Sequence, residues 1–269
     1  MLRAAFRGEL FRTLRNAGPL FWGYAAIPLI MLLFALTVEI FVAMRLQGVP
    51  ADRPFADIAV RPFAAAGNPI VHLFYAVGAA TLFAGEYRWE TWRLLVPRSR
   101  RGSLVAAKFL VYLLLVAASL LTLFAGTIAI RTVGQLLTGG AAGWETDAAA
   151  LLRLLVAAVG SLLEAAAFGG LVAWVAIASR SLTAAILLPF LLSLGIVLGL
   201  EYLNPQAALD LMLIVPTHAG DALRSWAAGG ATHLGTSGAA AALLALAAWT
   251  ALTLAAATVL FARQDLAKE

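Results

Sequence analysis

The sequence has no cysteine and few charged residues. Without cysteine, the chain has no disulfide, no thiolate metal site and no thiol nucleophile. Charged residues make up 12% of the 269 residues, whereas soluble domains usually carry about a quarter. Only Lys108 and Lys268 are lysines, and neither follows a glycine, so the phosphate-binding pattern G-x-x-x-x-G-K-[ST] is absent. The chain therefore carries no ATPase motif of its own.

Sequence signatures of catalysis and of metal binding are also missing. Neither H-E-x-x-H nor G-x-S-x-G occurs, and the three histidines are dispersed without ligand spacing. We expect no catalytic residue, no metal site and no cofactor in this chain. The net charge of +5 does not indicate nucleic-acid binding, because the arginines lie mostly at the ends of apolar runs, where they orient a membrane protein.

The abundant residues are apolar, at 62% of the chain. A helix needs about 20 apolar residues to cross a bilayer. Six runs meet this requirement: Gly18–Met44, Pro69–Gly85, Phe109–Ile130, Leu151–Ser179, Ser181–Leu203 and Gly238–Ala262. The fourth and fifth runs meet at Ser179-Arg180-Ser181, with only Arg180 between them, which predicts a tight helical hairpin. The sequence therefore predicts an all-α integral membrane protein with six transmembrane helices in a single domain, residues 1–269.

Basic residues predict the orientation. If the N-terminus is cytoplasmic, 13 of the 19 basic residues lie inside and six lie outside, as the positive-inside rule requires. Both termini are then cytoplasmic, and residues 1–17 form a cytoplasmic helix. Arg45–Asn68 contains three prolines and is predicted to be an irregular external loop. Residues 204–237 contain apolar pieces too short to span, which is typical of external or re-entrant helices.

Two acidic residues fall inside the predicted spans. Glu164 lies near the middle of the fourth, where an ionisable group suggests a function. It could line a substrate path, pair with an arginine of another helix, or be a protonated structural carboxyl group. Glu39 lies near the outer end of the first span, and we expect it to pair with Arg45 or to reach water.

Small residues indicate close helix packing. Gly195 and Gly199 form a G-x-x-x-G pair on the fifth span, and Gly169 belongs to a four-residue repeat of small residues on the fourth. Small residues at this spacing let helices approach closely. The contact could lie within one subunit or between two subunits.

The segment between the second and third spans combines charged and aromatic residues. Glu86, Glu90 and Arg93 share one face of a helix, and Trp89 and Trp92 share another. This pattern predicts an amphipathic helix whose aromatic face contacts lipid headgroups or a groove on a partner.

Two short motifs stand before the first span and after the second. The one after the second span begins at Glu86 and continues through Thr91-Trp92-Arg93, Pro97 and Ser99-Arg100 to Lys108. The one before the first span runs from Arg7-Gly8-Glu9-Leu10 to Arg15. The former resembles the segment after the second helix in permease subunits of bacterial ABC exporters of the ABC-2 type, and the latter resembles the N-terminal helix of those subunits. Six spans with a helical insert before the sixth agree with the same architecture.

The resemblance implies a coupling role for residues 86–103. In that family this segment is a coupling helix that docks on an ATPase subunit, and the residues implied at the contact are Glu86, Glu90, Thr91, Arg93 and Arg100. ATP and Mg are bound by the separate ATPase subunit. Two permease subunits, as a homodimer or a heterodimer, would form the export pathway in the bacterial cytoplasmic (inner) membrane. The substrate is not implied.

Two other hypotheses fit the same residues. A membrane scaffold or assembly component could use the amphipathic segment to dock a cytoplasmic partner without transporting anything. An intramembrane enzyme could use Glu164 with a histidine, although the sequence offers no second catalytic group.

The cysteine-free sequence allows a direct test of orientation. We expect a single cysteine at Ser99→Cys to react with a membrane-impermeant maleimide only after cell lysis, because this segment is predicted to be cytoplasmic. A cysteine at Ala142→Cys, in the predicted external loop, should react in intact cells. The reverse pattern would contradict the predicted topology.

Overall fold

The computed structural model describes residues 2–45, 55–88, 92, 100–137, 147–202, 213–229 and 235–264, and these ranges are helical with no strand. Its elements in chain order are α1 (Leu2–Arg15), α2 (Ala17–Leu20), a π-helical stretch (Phe21–Ala25), α3 (Ala26–Arg45), α4 (Phe55–Val60), a 3₁₀ helix (Arg61–Gly67), α5 (Pro69–Phe83), α6 (Gly85–Arg88), α7 (Arg101–Leu137), α8 (Ala148–Ser179), α9 (Leu182–Tyr202), α10 (Pro216–Ala227) and α11 (Thr236–Arg263).

Six stretches of the described chain are long and apolar enough to cross a membrane, which confirms the predicted six-span, all-α architecture. They are Ala17–Val42, Pro69–Tyr87, Arg101–Gln135, Ala148–Ser179, Leu182–Gly199 and Thr236–Arg263. The chain is therefore a multi-pass membrane protein.

The third span differs most from its predicted bounds. The apolar run ends at Lys108 and Arg131, but α7 continues through both residues. At 1.5 Å per residue, this helix is about 55 Å long, against a hydrocarbon core of about 30 Å. Lys108 and Arg131 do not interrupt the helix because each forms an ion pair with a carboxylate of another helix.

Helix α8 lies at the centre of the bundle, where it packs against α5, α7, α9, α10 and α11. In the most apolar windows of α5 and α8, 61% of the residues are buried, compared with 17% in α9 and α11. The two inner helices are rich in alanine and glycine, which lets the neighbouring helices approach closely. The outer helices present large apolar side chains to their surroundings.

The predicted hairpin between the fourth and fifth spans is present. Helix α8 ends at Ser179 and α9 begins at Leu182. Arg180 adopts a left-handed conformation with φ of 55°, and its N–H donates to the carbonyl of Ala176. This left-handed residue ends α8 and reverses the chain.

The prediction of an irregular loop between the first two spans is wrong for the part of this segment that the structure describes. Residues 55–67 form α4 and the 3₁₀ helix. Phe63, Ala65 and Ala66 are buried against the bundle, and the 3₁₀ helix packs against α7 and α8. Apolar side chains at helical spacing outweigh the tendency of Pro62 to break structure, because proline is accepted in the first turn of a helix.

The predicted packing glycines lie in two different environments. A Cβ atom at Gly169 would overlap the ring of Tyr112, whose hydroxyl donates to the Ala165 carbonyl at 2.8 Å. A Cβ atom at Gly195 or Gly199 would meet no described atom within 4 Å. Gly169 therefore packs inside the chain, whereas the G-x-x-x-G pair is left open on the described surface of α9.

Gly169→Ala should lower the free energy of unfolding by about 1–3 kcal/mol, because the added methyl group overpacks the contact with Tyr112. The matched control Gly195→Ala meets open space and should not lower it. Thermal unfolding of the two variants in the same detergent tests this. Equal melting temperatures for the two variants would contradict the packing assigned to Gly169.

Candidate functional site

Four charged residues join α1 to α6 and to the first part of α7, and we call them the ion-pair junction: Glu9, Arg12, Glu86 and Lys108. Lys108 Nζ lies 2.7 Å from Glu86 Oε1 and 3.1 Å from Glu9 Oε2. Arg12 Nη2 lies 2.8 Å from Glu9 Oε2, and Arg12 also pairs with Glu86. Each carboxylate therefore contacts both cations, and the four charges sum to zero.

The ion-pair junction is largely buried. Lys108 is 0% exposed, Glu86 is 2% exposed and Glu9 is 6% exposed, while Arg12 reaches the surface. Removing one partner of a buried ion pair destabilises the fold by about 3–5 kcal/mol, because the other charge is left buried and unpaired. The N-terminal helix is therefore held firmly to the start of the predicted coupling segment and to the start of α7.

Trp92 lies beside the ion-pair junction, inside the bundle. It is 2% exposed, and its ring centroid lies 4.3 Å from that of Phe261 and 5.7 Å from that of Tyr87. Lys108 Nζ lies 5.3 Å from the centre of the Trp92 ring, which is a cation–π distance. The prediction that Trp92 faces lipid headgroups or a partner is therefore wrong, because α11 and Lys108 cover its ring.

The ends of α6, α8 and α11 meet next to the ion-pair junction. Arg101 donates to the carbonyls of Phe261 and Gln264 at 3.2 and 2.6 Å. The Tyr87 hydroxyl donates to Gln264 Oε1 at 2.7 Å, and Gln264 Nε2 donates to the Ile177 carbonyl at 2.7 Å. The segments predicted to be cytoplasmic thus gather at one end of the bundle.

The residues predicted at the ATPase contact lie in different places. Glu86 is buried in the ion-pair junction, and Arg100 is exposed just before α7. Glu90, Thr91 and Arg93 lie outside the described residues. Arg100 is therefore accessible to a partner, whereas Glu86 supports the segment from within. Contact of these residues with an ATPase stays a prediction.

Sequence reasoning missed the pairing within the ion-pair junction. Glu9 and Lys108 both stand in the motifs that carry the family resemblance, but a motif does not reveal which residues touch. The available signal was the position of Lys108 directly before an apolar run. If the fold buries such a lysine, its charge requires carboxylate partners.

A second polar site lies at the middle of α8. Glu164 Oε2 accepts from Arg224 Nη1 at 2.6 Å, and both residues are buried. Arg224 Nη1 also lies 3.2 Å from Ser161 Oγ, and its Nη2 donates to the exposed Asp221 at 2.6 Å. Among the alternatives for Glu164, pairing with an arginine of another helix is the one found, and the arginine comes from α10.

Electrostatics keep Arg224 charged. Burial alone would lower the pKa of its guanidinium group, but the carboxylates of Glu164 and Asp221 outweigh burial and raise this pKa above its ordinary value. Arg224 therefore stays protonated across the physiological pH range.

Two glycines make room for this ion pair. A Cβ atom at Gly67 would lie 2.6 Å from Arg224 Nη2, and one at Gly220 would overlap the carboxylate of Glu164. The 3₁₀ helix and α10 can thus approach α8 only because both positions lack a side chain. The ion pair is enclosed on two sides by backbone.

His72 joins three elements close to the second polar site. Its Nε2 lies 2.7 Å from the carbonyl of Ala66, and its Nδ1 lies 2.6 Å from Ser193 Oγ. A carbonyl can only accept, so Nε2 carries the proton, and in the neutral ring Nδ1 accepts from the Ser193 hydroxyl. The ring also stacks on Phe168 with a centroid distance of 4.1 Å. His72 thereby connects α5 to α9 and to the 3₁₀ helix.

Glu39 has a partner that the sequence did not suggest. Its Oε2 lies 2.8 Å from Arg131 Nη1, which belongs to α7. Arg131 reaches Glu39 because α3 packs along α7. Pairing with Arg45 stays a prediction, since the side chain of Arg45 lies outside the described part of the chain. Glu39 thus joins the first and third spans.

Comparison with known proteins gives one family. The model of the family described as "ABC-2 family transporter protein" matches residues 57–266. The match begins in α4 and continues through α11, so it includes both the segment after α5 and the second polar site. A search of curated proteins finds no match.

We expect Glu164→Gln and Arg224→Gln each to lower the free energy of unfolding by about 3–5 kcal/mol, because each leaves a buried partner without its counter-charge. The double variant should lose less than the sum of the two single losses. Denaturant titration in detergent measures all three variants.

Glu39→Gln provides the control, because the arginine that it leaves unpaired, Arg131, is 31% exposed and can be solvated, so the loss should be smaller than for a fully buried partner. Strict additivity of the Glu164 and Arg224 substitutions would show that the two side chains do not interact.

Proposed function

The chain belongs to the ABC-2 family of transporter proteins and is a permease component of an ABC transporter; from this premise we propose that a separate ATPase subunit binds it at the segment between α5 and α7. Members of this family typically pair with an ATPase subunit. The ATPase would bind ATP and Mg, and this chain would contribute no catalytic residue to hydrolysis.

The ion-pair junction carries the proposal. The segment between α5 and α7 is held at its start by Glu86, which pairs with Arg12 on α1 and with Lys108 on α7. A displacement of the segment would therefore move α1, α5 and α7 together, since separating them would leave buried charges unpaired. The surface contact itself would be made by exposed residues such as Arg100.

We further propose that two permease subunits, identical or related, form an export pathway in the bacterial cytoplasmic membrane. The open surface of α9 around Gly195 and Gly199 supports a contact outside the single chain, because no described atom covers either glycine. Outward transport follows from the resemblance to exporters.

Affinity purification in mild detergent tests the ATPase contact. We expect a protein with nucleotide-binding motifs to co-purify and to hydrolyse ATP. Arg100→Glu should lower the yield of this protein at least about tenfold, the equivalent of about 1.4 kcal/mol. The reason is that the substituted carboxylate would be repelled by an acidic partner surface that the exposed guanidinium group of Arg100 attracts.

Arg3→Glu, an equal charge reversal on the exposed face of α1, should leave the yield unchanged. If the chain purifies alone, or with a partner that lacks nucleotide-binding motifs, the coupling proposal fails and a scaffold that docks a cytoplasmic partner takes its place.

A further inference from the structure

One face of α1 is exposed and carries no acidic residue. Arg7, Phe11, Leu14 and Arg15 recur at helical spacing, which places them on one side of the helix. Phe11 is 62% exposed and Leu14 is 52% exposed, and both arginines are exposed as well. We call these four residues the basic–apolar face. Arg3 lies on the same side, but about 18 Å from Arg15 along the helix.

The charge of the basic–apolar face is not balanced within the described chain. Glu9 is the acidic residue of α1, and it is buried on the opposite side of the helix in the ion-pair junction. Arg7 and Arg15 form no ion pair with a described residue. Arg15 instead stacks on the ring of Phe11, with 5.4 Å between its guanidinium carbon and the ring centre. The face therefore presents two positive charges beside two large apolar side chains.

The C-terminal half of α1 lies at the level where two spans end. Arg12 pairs with Glu86, which stands next to the end of the second span at Tyr87. The first span begins at Ala17, and a single residue separates it from α1. The headgroup layer adds about 5–8 Å to each side of the hydrocarbon core. The basic–apolar face therefore meets the headgroups and the first carbons of the acyl chains.

Anionic phospholipids match both parts of this face. Their phosphate oxygens accept hydrogen bonds from arginine side chains in a paired geometry, and the phenylalanine and leucine side chains of an interfacial helix enter the acyl boundary. A zwitterionic phospholipid brings its own cation and leaves the two arginines without a net counter-charge. An acidic surface of a cytoplasmic protein would supply that charge, but it lies beyond the headgroup layer that surrounds Phe11 and Leu14.

We propose that the basic–apolar face binds anionic phospholipids of the leaflet next to α1, which is predicted to be the cytoplasmic one. Phosphate groups bind at Arg7 and Arg15, and acyl carbons pack against Phe11 and Leu14. Because α1 is part of the ion-pair junction, bound lipid also holds this helix in position against the start of the predicted coupling segment. That this affects the binding of an ATPase rests on the proposed function, whereas the lipid contact does not.

Energy transfer from α1 to labelled lipids tests the proposal. The sequence has no cysteine, so Gly8→Cys gives a single site for a donor dye, and a Cβ atom at this position meets no described atom within 4 Å. The full chain is reconstituted in phosphatidylcholine vesicles with phosphatidylglycerol as the minor component. Acceptor-labelled phosphatidylglycerol is compared with acceptor-labelled phosphatidylcholine of the same chains. Each arginine near an anionic surface contributes about fivefold, so we expect phosphatidylglycerol to be enriched around α1 about five- to twenty-five-fold.

Arg7→Gln with Arg15→Gln should lower this enrichment at least about fivefold, and the fold should be retained because neither side chain is buried. Arg7→Lys with Arg15→Lys keeps both charges and should retain most of the enrichment. The matched control is Arg100→Gln with Arg263→Gln, which removes the same charge from exposed residues elsewhere at this end of the bundle. This control should leave the enrichment around α1 nearly unchanged.

A second measurement tests the apolar part of the face. A nitroxide label at Leu14→Cys should collide more often with oxygen, which partitions into the acyl chains, than with a water-soluble nickel chelate. The same label at Arg100→Cys, on an exposed residue directly before α7, should show the opposite order.

Equal transfer to the two lipid probes would overturn the proposal, and so would a label at Leu14→Cys that is more accessible to nickel. An equal loss of enrichment in the matched control would reduce the effect to a general attraction of basic residues for anionic lipid, with no site on α1. If Arg7→Gln with Arg15→Gln lowered the yield of a co-purified ATPase but not the lipid enrichment, the face would belong to that protein instead. The vesicles contain no ATPase, so a failed co-purification would leave the lipid result standing, and the converse also holds.

Discussion

A charge inside a membrane bundle must be neutralised by another side chain, and the arrangement of this protein follows from where its pairs form. The ion-pair junction joins α1 to α6 and to the first part of α7. Glu39 and Arg131 join the first and third spans. Glu164 and Arg224 hold α10 against the centre of α8. The ion-pair junction and the Glu164–Arg224 pair in particular specify which helices are neighbours, since a buried charge left without its partner would cost several kcal/mol.

Close packing of side chains holds the helices together alongside these ion pairs. Helix–helix association in a membrane gains little from the hydrophobic effect, so contact must come from shape. Gly169 admits the ring of Tyr112, and Gly67 and Gly220 admit the Glu164–Arg224 pair. Glycine therefore allows side-chain packing at one of these positions and charge pairing at the other two, because an ion pair can be enclosed only where backbones approach closely.

Helix α5 connects the two polar regions of the bundle. At one end it continues into α6, whose Glu86 belongs to the ion-pair junction. Near its other end His72 hydrogen-bonds to Ser193 on α9. Helix α9 in turn forms one wall of an apolar cavity that Glu164 and Thr217 also line. Helix α5 thus connects the ion-pair junction at one end to a wall of this cavity at the other.

Much of the fold could be predicted from the sequence, because span length and the scarcity of charge are properties of contiguous residues. The six spans, the hairpin at Arg180 and the family resemblance all depend on local pattern. Other features did not follow from the sequence. Glu86 and Trp92 were assigned to an exposed amphipathic helix, yet both are buried. Helical periodicity identifies faces, but it does not say which face another helix will cover.

Composition and order along the chain thus determined the class of protein, the number of spans and the membership of a family. Only the tertiary structure decided that Glu39 pairs with Arg131, that Glu164 pairs with Arg224, and that Thr217 lines an apolar cavity. The physical reason is distance in sequence: Glu164 and Arg224 are 60 residues apart, and nothing local to either residue specifies its partner. Burial of both charges in a common low-dielectric site requires such a partner, and the packing of α10 on α8 supplies it.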